Sequence, residues 1–330
     1  MELPRDLRQA IDVEIALRSS KQLAVAAARL SSRYRTGLSS GSGKFLQSQE
    51  DVEAYAAFRL PATFAAVYST AREVQERLPG WSPNTLLDIG AGPGTAMWAA
   101  AAVWPGLISR ITLMEREEGM IDLGRRLAAH SSFSAIREAH WRRLDLRGRW
   151  GVSAHDLVIA SYVLGEMPSS DCEAIIGKLW ESTSHTLVII EPGTPAGFAR
   201  IRQARELLLS MGGRIIAPCP HENRCPMSGR NWCHFAARVS RSRLHRLAKA
   251  GELAYEDEKF SYICISRAGG TTIPGRVIRH PQVHTGFIRL ELCTPLGLDE
   301  TVVTRKDRDR FRRARHLRWG SPVPGPDDRE

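Results

Sequence analysis

The stretch Leu86-Leu-Asp-Ile-Gly-Ala-Gly-Pro-Gly-Thr95 decides the fold, because three alternating glycines follow a short apolar run and precede a helical pattern. Gly90 and Gly92 permit a tight turn whose surface is formed by backbone without side chains. Gly94 permits close contact between the strand and the helix. A helix that begins directly after such a turn presents free N–H groups to a ligand. The stretch therefore predicts a cofactor at the carboxyl end of a parallel strand.

Two acidic residues accompany this glycine loop. Asp88 lies on the strand beneath it, where a carboxylate can bind an ammonium group or organise the turn. Glu115 ends the next apolar run, a position suited to binding two ribose hydroxyls. The glycines alone would also fit a dinucleotide, but their setting resembles the first motif of class I S-adenosylmethionine-dependent methyltransferases. The predicted cofactor-binding residues are Asp88, Gly90, Gly92, Gly94 and Glu115.

Short apolar runs alternate with helical stretches from Asn84 onward, which is the pattern of a parallel sheet covered by helices. We predict strands at 85–89, 110–115, 135–140, 155–161 and 185–191, with helices at 94–104, 118–130, 171–183 and 197–212. Later strands at 258–266 and 284–293 are expected to complete a seven-stranded sheet. Upstream, the predicted helices are 4–36, 48–60 and 61–77, with a Gly/Ser-rich break at 37–43.

The predicted fold class is α/β, a class I methyltransferase (Rossmann-like) sheet with an N-terminal helical extension and a cysteine-rich insertion. The expected parts are helices at 1–80, the cofactor-binding core at 81–216, the insertion at 217–245, the last core strands at 246–300, and a basic helix with a disordered tail at 301–330. Hydrophobic residues make up 43% and charged residues 25%, a globular composition.

The predicted location is cytoplasmic and of bacterial type. The first residues, Met1-Glu-Leu-Pro-Arg-Asp-Leu7, resemble neither a secretory signal nor an organellar presequence. No apolar run approaches the roughly 20 residues that span a bilayer, so we expect no membrane association and a monomer when free.

The net charge of +10 is unevenly placed along the chain. Residues 219–318 hold twenty Lys and Arg against ten Asp and Glu, whereas residues 1–218 hold 25 against 23. This polarity favours docking of a polyanion, with a merely solvated surface as the alternative. A basic helix is predicted at 304–319. The residues predicted to bind such a polyanion, which is RNA if the family resemblance described below holds, are Arg305, Lys306, Arg308, Arg310, Arg312, Arg313, Arg315 and Arg318.

Three cysteines, Cys219, Cys225 and Cys233, lie within fifteen residues of a proline-rich segment. In a reducing compartment such crowding favours metal coordination over disulfides. Zinc would need a fourth ligand, which His221 or His234 offers, and iron-sulfur clusters prefer four cysteines.

A distant thiol could complete this set. Cys293 is the best candidate, because it ends a predicted strand just before Thr-Pro, where the chain turns. Cys172 and Cys264 lie within regular elements and are expected to be core residues.

Methyl transfer itself is left open by the sequence. Where an Asn/Asp-Pro-Pro-aromatic motif would hold an acceptor amine, the fourth predicted strand ends in Ala160-Ser-Tyr-Val-Leu-Gly-Glu166. The ends of the fourth and fifth predicted strands also lack a cysteine nucleophile. Tyr162, Glu166 and Glu191 are the candidates for orienting a substrate or cofactor, with capping and loop hydrogen bonding as the alternative.

Several segments together resemble the methyltransferase-like proteins of the mitochondrial small ribosomal subunit and their bacterial homologues, from about residue 50 to Trp319. They are Tyr55-Ala-Ala-Phe-Arg-Leu-Pro-Ala-Thr, Leu87-Asp-Ile-Gly-Ala-Gly-Pro-Gly-Thr-Ala, Ile190-Glu-Pro-Gly-Thr-Pro, Cys219-Pro-His, Cys225-Pro, Trp232-Cys-His-Phe and Glu256-Asp-Glu-Lys-Phe-Ser-Tyr. The resemblance implies association with small-subunit rRNA during assembly. It also implies a four-iron four-sulfur cluster, whose cysteines map onto Cys219, Cys225, Cys233 and Cys293.

Three functions are compatible with these features. The leading prediction is a ribosome assembly protein that binds small-subunit rRNA, S-adenosylmethionine and an iron-sulfur cluster. The first alternative is an active S-adenosylmethionine-dependent rRNA methyltransferase. A zinc-stapled methyltransferase of small molecules is the third, although it would leave the basic C-terminal segment without a role.

Overall fold

The computed structural model of the protein describes residues 1–16, 18–36, 46, 48–148, 150–240 and 255–324. The predicted break at 37–43 lies outside these ranges, as do residues 241–254 and residues 325–330 of the predicted tail. None of the described helices combines the length and the apolar character that crossing a membrane requires.

The helices begin with an N-terminal group that continues into the sheet-covering helices. They are α1 (Arg5–Ile15), α2 (Ser20–Thr36), α3 (Gln49–Ala54), α4 (Leu60–Arg77), α5 (Thr95–Val103), α6 (Glu118–Ala128), α7 (Ser134–Arg137), α8 (Ser169–Glu181), α9 (Pro195–Ser210) and α10 (Arg308–Ala314). Ser48 caps α3 by accepting a hydrogen bond from the Asp51 N–H. A π-helical turn, Tyr55–Arg59, joins α3 to α4, so the helix continues through the predicted restart at Pro61.

The main sheet has eight strands and mixed direction. They are β1 (Thr85–Ile89), β2 (Arg110–Glu115), β3 (His140–Arg143), β4 (His155–Ser161), β5 (Thr183–Pro192), β6 (Arg214–Ala217), β7 (Phe235–Ser240) and β8 (Tyr255–Ser266). Their order is β3-β2-β1-β4-β5-β8-β6, with β7 pairing to β8. The first five strands are parallel and β8 is antiparallel to its neighbours. The predicted α/β methyltransferase (Rossmann-like) sheet is confirmed, with eight strands in place of seven.

Alternate residues of the central strand β1 feed two apolar cores. Leu86 belongs to the core formed with the N-terminal helices and α5, whereas Leu87 and Ile89 belong to the core formed with α8 and α9. Successive strand side chains point to opposite faces, so both faces of the sheet are covered. The carboxyl ends of β1, β2, β4 and β5 therefore meet at one edge, where the glycine loop lies.

A second, four-stranded sheet follows the main one. It consists of β9 (Arg276–Val277), β10 (Gln282–Val283), β11 (Phe287–Thr294) and β12 (Gly297–Thr304), in the order β10-β11-β12 with β9 pairing to β11. The prediction that 284–293 completes the main sheet is therefore wrong. A tight turn joins β11 to β12, and pairing with this adjacent strand replaces pairing with a distant edge. The outer position of the main sheet belongs to β6.

Three further predictions are corrected. The third strand is β3 at His140–Arg143 in place of 135–140, because an edge strand needs no apolar run and His-Trp-Arg-Arg shows none. The basic helix is shorter than 304–319, since β12 extends to Thr304 and Asp307 caps α10. The start of the predicted disordered tail is ordered: the Val323 N–H donates to the Gly275 carbonyl at 2.8 Å.

Candidate functional site

The glycine loop leaves β1 and enters α5 with all three glycines at positive φ: Gly90 at +64°, Gly92 at +55° and Gly94 at +79°. Glycine adopts this region without steric cost. A Cβ on Gly90 would lie 2.4 Å from Val163 Cγ2, and one on Gly94 would lie 2.9 Å from Met97 Cε. The loop therefore exposes its backbone without side chains at the sheet edge, and these contacts exclude a larger residue at Gly90 and at Gly94.

Asp88 lies beneath the loop and is fully buried. Neither of its carboxylate oxygens has a hydrogen-bond partner in the described part of the chain. Burial and, second, the charge of Glu115 raise the pKa of Asp88 to about 8, with a small opposing effect from the nearby Met97 N–H. No cation among the described residues stabilises the charged form of this carboxyl group.

Glu115, at the end of β2, is turned back against the loop. Its Oε2 accepts a hydrogen bond from the Gly92 N–H at 2.8 Å, and its Oε1 accepts from the N–H groups of Arg116 and Glu117 at 2.7 and 2.8 Å. Burial raises the pKa of Glu115, and these backbone donors oppose the shift. Because a carboxylate has about four lone-pair positions, one remains for a ligand hydroxyl.

Tyr55 joins this site from the N-terminal helices and was missed as a site residue. The π-helical turn brings its hydroxyl to 3.6 Å from the position of a Cβ on Gly92. Burial raises the pKa of Tyr55 to about 12. Such turns are frequent at functional sites. The sequence Tyr-Ala-Ala-Phe-Arg predicts an ordinary α-helix, so the sequence does not reveal the turn.

A cavity of about 380 Å³ lies between α3 and the start of α6. Ser48 and Val52 line one side, and Arg116, Glu118 and Arg143 line the other. Arg143 and Glu118 pair at 2.8 Å on this rim. The cavity is lined by Arg116 and Glu117, the two residues that follow Glu115.

Tyr162 follows β4 and is held by a group that we call the tyrosine clamp, formed by Arg59, Tyr162 and Glu258. The Tyr162 hydroxyl donates to Glu258 Oε1 at 2.8 Å, and Arg59 makes two hydrogen bonds to the same carboxylate at 2.9 and 3.1 Å. The Arg59 guanidinium also lies 4.8 Å from the centre of the Tyr162 ring. Tyr162 has a φ of +61°, uncommon for a residue other than glycine. The clamp ties the N-terminal helices to β8 across the end of β4.

Glu191 and Glu166 have raised pKa values for the same main reason. Glu191 is fully buried on β5, and its Oε1 accepts hydrogen bonds from the N–H groups of Leu164 and Gly165 at 2.9 and 3.3 Å. Burial raises the pKa of each carboxyl to about 7, and for Glu166 the charge of Glu115 contributes next. Groups that titrate near neutral pH suit proton transfer, although the bonds of Glu191 also organise a turn.

The four cysteines predicted as ligands line one cavity, which we call the cysteine cavity. Cys219, Cys225 and Cys233 come from the irregular connection between β6 and β7, and Cys293 comes from β11. All are free thiols. Burial raises the pKa of Cys293 to about 12 and that of Cys233 well above its usual value, and neighbouring thiols add to both shifts. The topology thus brings together residues from two sheets.

The two predicted alternative zinc ligands differ in position. His221 lines the cysteine cavity with Nε2 at 3.6 Å from Cys293 Sγ, and its Nδ1 has no hydrogen-bond partner among the described residues. His234 instead stacks on Trp232 at 5.1 Å and meets Trp319 edge-on at 4.7 Å. In the described ranges, no three His, Cys, Asp or Glu side chains are placed to hold a single metal ion.

Two buried arginines of the cysteine cavity were also missed. Arg205, on α9, and Arg276, on β9, are 3% and 1% exposed. Arg276 donates to the carbonyl oxygens of Pro218 and Gly320, each at 2.7 Å, and to Glu73 Oε2 at 2.9 Å. A sequence pattern does not distinguish such arginines from the solvated ones that outnumber them.

The predicted RNA-binding residues form the basic segment, residues 305–318. All of them are exposed except Arg313, which is half-buried. The apolar stripe of α10 packs on the core of the second sheet. Asp307 and Asp309 lie 3.8 and 3.6 Å from Arg310 and Arg312, and such exposed pairs are weak. The segment therefore keeps a strongly positive outer face.

Comparisons with known proteins identify relatives of this chain. The family described as mitochondrial small ribosomal subunit Rsm22 matches residues 49–324. Human ribosome assembly protein METTL17, mitochondrial, is 30% identical over 292 residues, which cover 82% of this chain and 62% of that protein. Rsm22-cox11 tandem protein 2, mitochondrial, of Schizosaccharomyces pombe is 25% identical, covering 83% of this chain and 43% of that protein. The chain thus spans less than two thirds of either relative.

Solved structures with a similar chain path include methyltransferases. The magnesium protoporphyrin IX methyltransferase of Synechocystis PCC 6803 with bound SAM has a TM-score of 0.41 at 16% identity, covering 74% of this chain and 97% of its own. The plantazolicin methyltransferase BpumL has a TM-score of 0.41 at 11% identity, covering 75% of this chain and 96% of its own. Likeness at this level carries no argument about function.

The relatives also correct one prediction. A cytoplasmic location was expected from the composition of the first seven residues, and such a short stretch does not decide the compartment. The family and both relatives are named as mitochondrial, so that prediction is wrong. The resemblance noted in the sequence is confirmed, because the family match covers residues 49–324 and the human relative is 30% identical over 82% of the chain: the protein belongs to the Rsm22 family of the mitochondrial small ribosomal subunit.

Proposed function

We propose that this protein acts in assembly of the small ribosomal subunit and binds its rRNA through the basic segment. Eight basic and two acidic residues stand between positions 305 and 318, and most of their side chains face solvent. Such a face binds a polyanion by releasing counterions from phosphates. The name of the human relative, ribosome assembly protein METTL17, supports this partner.

S-adenosylmethionine is the cofactor we propose for the glycine loop. Its ammonium and sulfonium groups are cationic, and the unpaired, buried carboxyl of Asp88 fits a cation. The bare backbone at Gly90 and Gly92 permits close approach, and Glu115 keeps one lone pair for a ribose hydroxyl. When bound, this cofactor supplies an activated methyl group. A nearby ammonium would lower the pKa of Asp88 and favour its charged form.

A four-iron four-sulfur cluster is the group we propose for the cysteine cavity, with Cys219, Cys225, Cys233 and Cys293 as its ligands. Four thiols match the usual donor set of such clusters. A single zinc ion needs all ligands within about 2.3 Å of one point, whereas a cluster spreads its metals over a larger volume. The observation that supports the cluster is the four thiols lining one cavity. His221 would then lie beside Cys293 without being a ligand.

Methyl transfer to rRNA is the second candidate function. It is favoured by the Glu166 carboxyl, whose pKa of about 7 suits a general acid or base near the glycine loop. Against it stands the tyrosine clamp, which occupies the end of β4, where the acceptor motif of many methyltransferases lies. We therefore place the binding role first.

Replacing Arg310, Arg312 and Arg315 together by Ala tests the rRNA role. We expect weaker co-sedimentation with small subunits, and a plot of log affinity against log salt flatter by about 0.7 to 0.9 for each phosphate that the variant no longer neutralises. The matched control replaces Arg8, Arg72 and Arg125, exposed arginines outside the basic segment. Unchanged co-sedimentation of the first variant, or an equal decrease in both, would refute the role of the segment.

Radiolabel transfer from S-adenosylmethionine to immature small subunits separates the two candidates. Cofactor that binds without transferring label supports the assembly role. Transfer that falls in Glu166→Gln, while cofactor affinity is retained, supports the enzyme. Asp88→Asn serves as the control that lacks cofactor binding.

A further inference from the structure

Three arginines line the cysteine cavity, and no Asp or Glu lines it in the described part of the chain. Arg202 is exposed, while Arg205 and Arg276 are 3% and 1% exposed. The four thiols are the groups most readily converted to anions within these walls. The cavity is therefore positive unless its cysteines, or a group bound to them, carry negative charge.

The charge of Arg276 is already neutralised. Its Nη2 pairs with Glu73 Oε2 at 2.9 Å, and its remaining donors bind the carbonyl oxygens of Pro218 and Gly320. These bonds tie the start of the cysteine segment and the C-terminal segment to α4. Arg276 is thus a structural residue with a complete set of partners.

Arg205 differs from Arg276 in lacking an acidic partner. Its Nη2 donates to the carbonyl oxygens of His221 and Asn223 at 3.1 and 2.6 Å, and its Nε has no partner among the described residues. It forms no ion pair with a carboxylate in those ranges. A buried charge without a counter-charge costs several kcal/mol in general, so such a guanidinium calls for an anion nearby.

We propose that Arg205 is the counter-ion of an anionic, thiolate-held group in the cysteine cavity. The cavity contains no other buried cation that lacks an acidic partner, counting the described residues. Arg205 lines the same cavity as Cys219, Cys225, Cys233 and Cys293, so a group held by these thiols would lie beside its guanidinium. This inference rests on the proposed function, because the cluster named above is the group that would supply the negative charge. Arg205 is a positioning residue, since it acts through the cysteines and their ligand.

A cluster held by four thiolates gains negative charge on reduction, so a neighbouring cation stabilises the reduced form more than the oxidised form. Removing the charge of Arg205 should shift the midpoint potential to more negative values. It should also speed loss of iron to a chelator by about tenfold or more, as removal of outer-shell partners does in other metal sites. In metal-free protein the effect reverses, because an unpaired buried charge is removed.

The test uses the full chain reconstituted anaerobically with iron and sulfide, and titrated with dithionite. Arg205→Gln should show the negative shift, the faster iron release and a higher Tm of the metal-free protein. Arg205→Lys keeps the charge and should keep the midpoint near that of the unaltered protein. Arg72→Gln, exposed on α4 and outside the cavity, should behave like the unaltered protein throughout.

Two results would overturn the inference while leaving the proposed cluster intact. One is an Arg205→Gln protein with unchanged midpoint and iron release. The other is a metal-free Arg205→Gln protein that loses Tm in parallel with the loaded form, which would indicate a packing role. If the unaltered protein retains no iron, the proposed cluster and the inference fail together, and this outcome is distinguishable because it needs no variant.

Discussion

The glycine loop and the cysteine cavity are both built from irregular connections at strand ends, yet they bury opposite charges. Asp88 lies under the loop without a donor, and Arg205 lies in the cavity wall without an acidic partner, counting the residues that the structure describes. The glycine loop is surrounded by carboxyl groups, whereas the cavity is lined by guanidinium groups. This difference indicates that the loop is prepared for a cation and the cavity for an anion.

Burial alone does not mark a ligand site in this protein. Asp51 is as deeply buried as Asp88, but it is bound by Arg29 and Arg33, and so its charge is neutralised within the fold. Arg276 and Arg205 form the same contrast for positive charge. What distinguishes the two sites is a buried ionisable group that lacks an oppositely charged partner, and the sign of its charged form indicates the sign of the ligand.

The largest expected effect is that of Cys233→Ser, which tests whether the cysteine cavity holds an anionic group. Loss of one ligand should abolish iron retention, and the connection between β6 and β7 should lose metal-coupled folding energy on the order of 10 kcal/mol, by analogy with structural zinc. Iron content and hydrogen exchange of residues 218–234 measure both effects. Cys172→Ala, in a buried thiol of α8 outside the cavity, should retain iron. Equal iron in both variants would remove the cavity from the comparison.

The next effect is that of Gly90→Ala in the glycine loop. Its Cβ would stand 2.4 Å from Val163 Cγ2 at a φ of +64°, so overpacking and backbone strain together should cost about 2 to 4 kcal/mol and prevent cofactor binding. Urea unfolding and calorimetric titration with S-adenosylmethionine measure these. Gly80→Ala isolates the strain, because φ is +81° and nothing lies within 4 Å. Similar destabilisation in both would mean that the contact with Val163 is unimportant.

Asp88→Asn should act on stability in a pH-dependent way. The folded pKa of about 8 lies above the ordinary 3.8, so the folded state holds the extra proton, and stability falls as pH rises from about 4 to 8. Asn removes this part of the pH dependence and should stabilise the ligand-free fold at pH 8 and above by about 1 to 3 kcal/mol.

Unfolding free energies at pH 5, 7 and 9 measure the change. Asp156→Asn is the control of opposite sign, because burial of Asp156 is outweighed by the hydrogen bonds that lower its pKa. A stability of Asp88→Asn that follows the unaltered protein at every pH would show that Asp88 is paired in solution.

The smallest effect is that of Tyr162→Phe. Loss of the hydrogen bond to Glu258 should cost about 0.5 to 1.5 kcal/mol and leave affinity for S-adenosylmethionine unchanged. Thermal unfolding with and without cofactor tests this. A marked decrease in cofactor affinity would instead show that Tyr162 and Glu258 belong to the cofactor site around the glycine loop.

Much of the fold follows from local patterns. The buried strands β1, β2, β4 and β5 carry apolar runs that predict them within two residues, and the glycine loop marks where they end. The sequence also indicates that Cys293 could lie near Cys219, because a cysteine at a strand end before a turn is free to face another segment, and both line one cavity.

What escaped prediction depends on contacts between distant residues. Tyr55 lies beside the glycine loop at the start of a π-helical turn, and no residue of that turn breaks the helical pattern. Arg205 looks like any arginine of an amphipathic helix until the cysteine segment covers it. The strand β11 was assigned to the wrong sheet because its apolar alternation indicates a strand but not its neighbour.

The four cysteines of the cavity are not synthesised together, because Cys293 lies far from the other three in the sequence. Cys219, Cys225 and Cys233 are synthesised within fifteen residues of one another. Cys293 follows 60 residues after Cys233, on a hairpin that is complete only when Thr304 has been made. The hydrogen bond from Arg276 Nη1 to the Gly320 carbonyl oxygen can form only later still, once Gly320 has been synthesised. A nascent or truncated chain that ends before β11 has the glycine loop and its sheet but only three of the four thiols. The cavity therefore has all four of its thiols only after the ribosome has synthesised the strands of the second sheet.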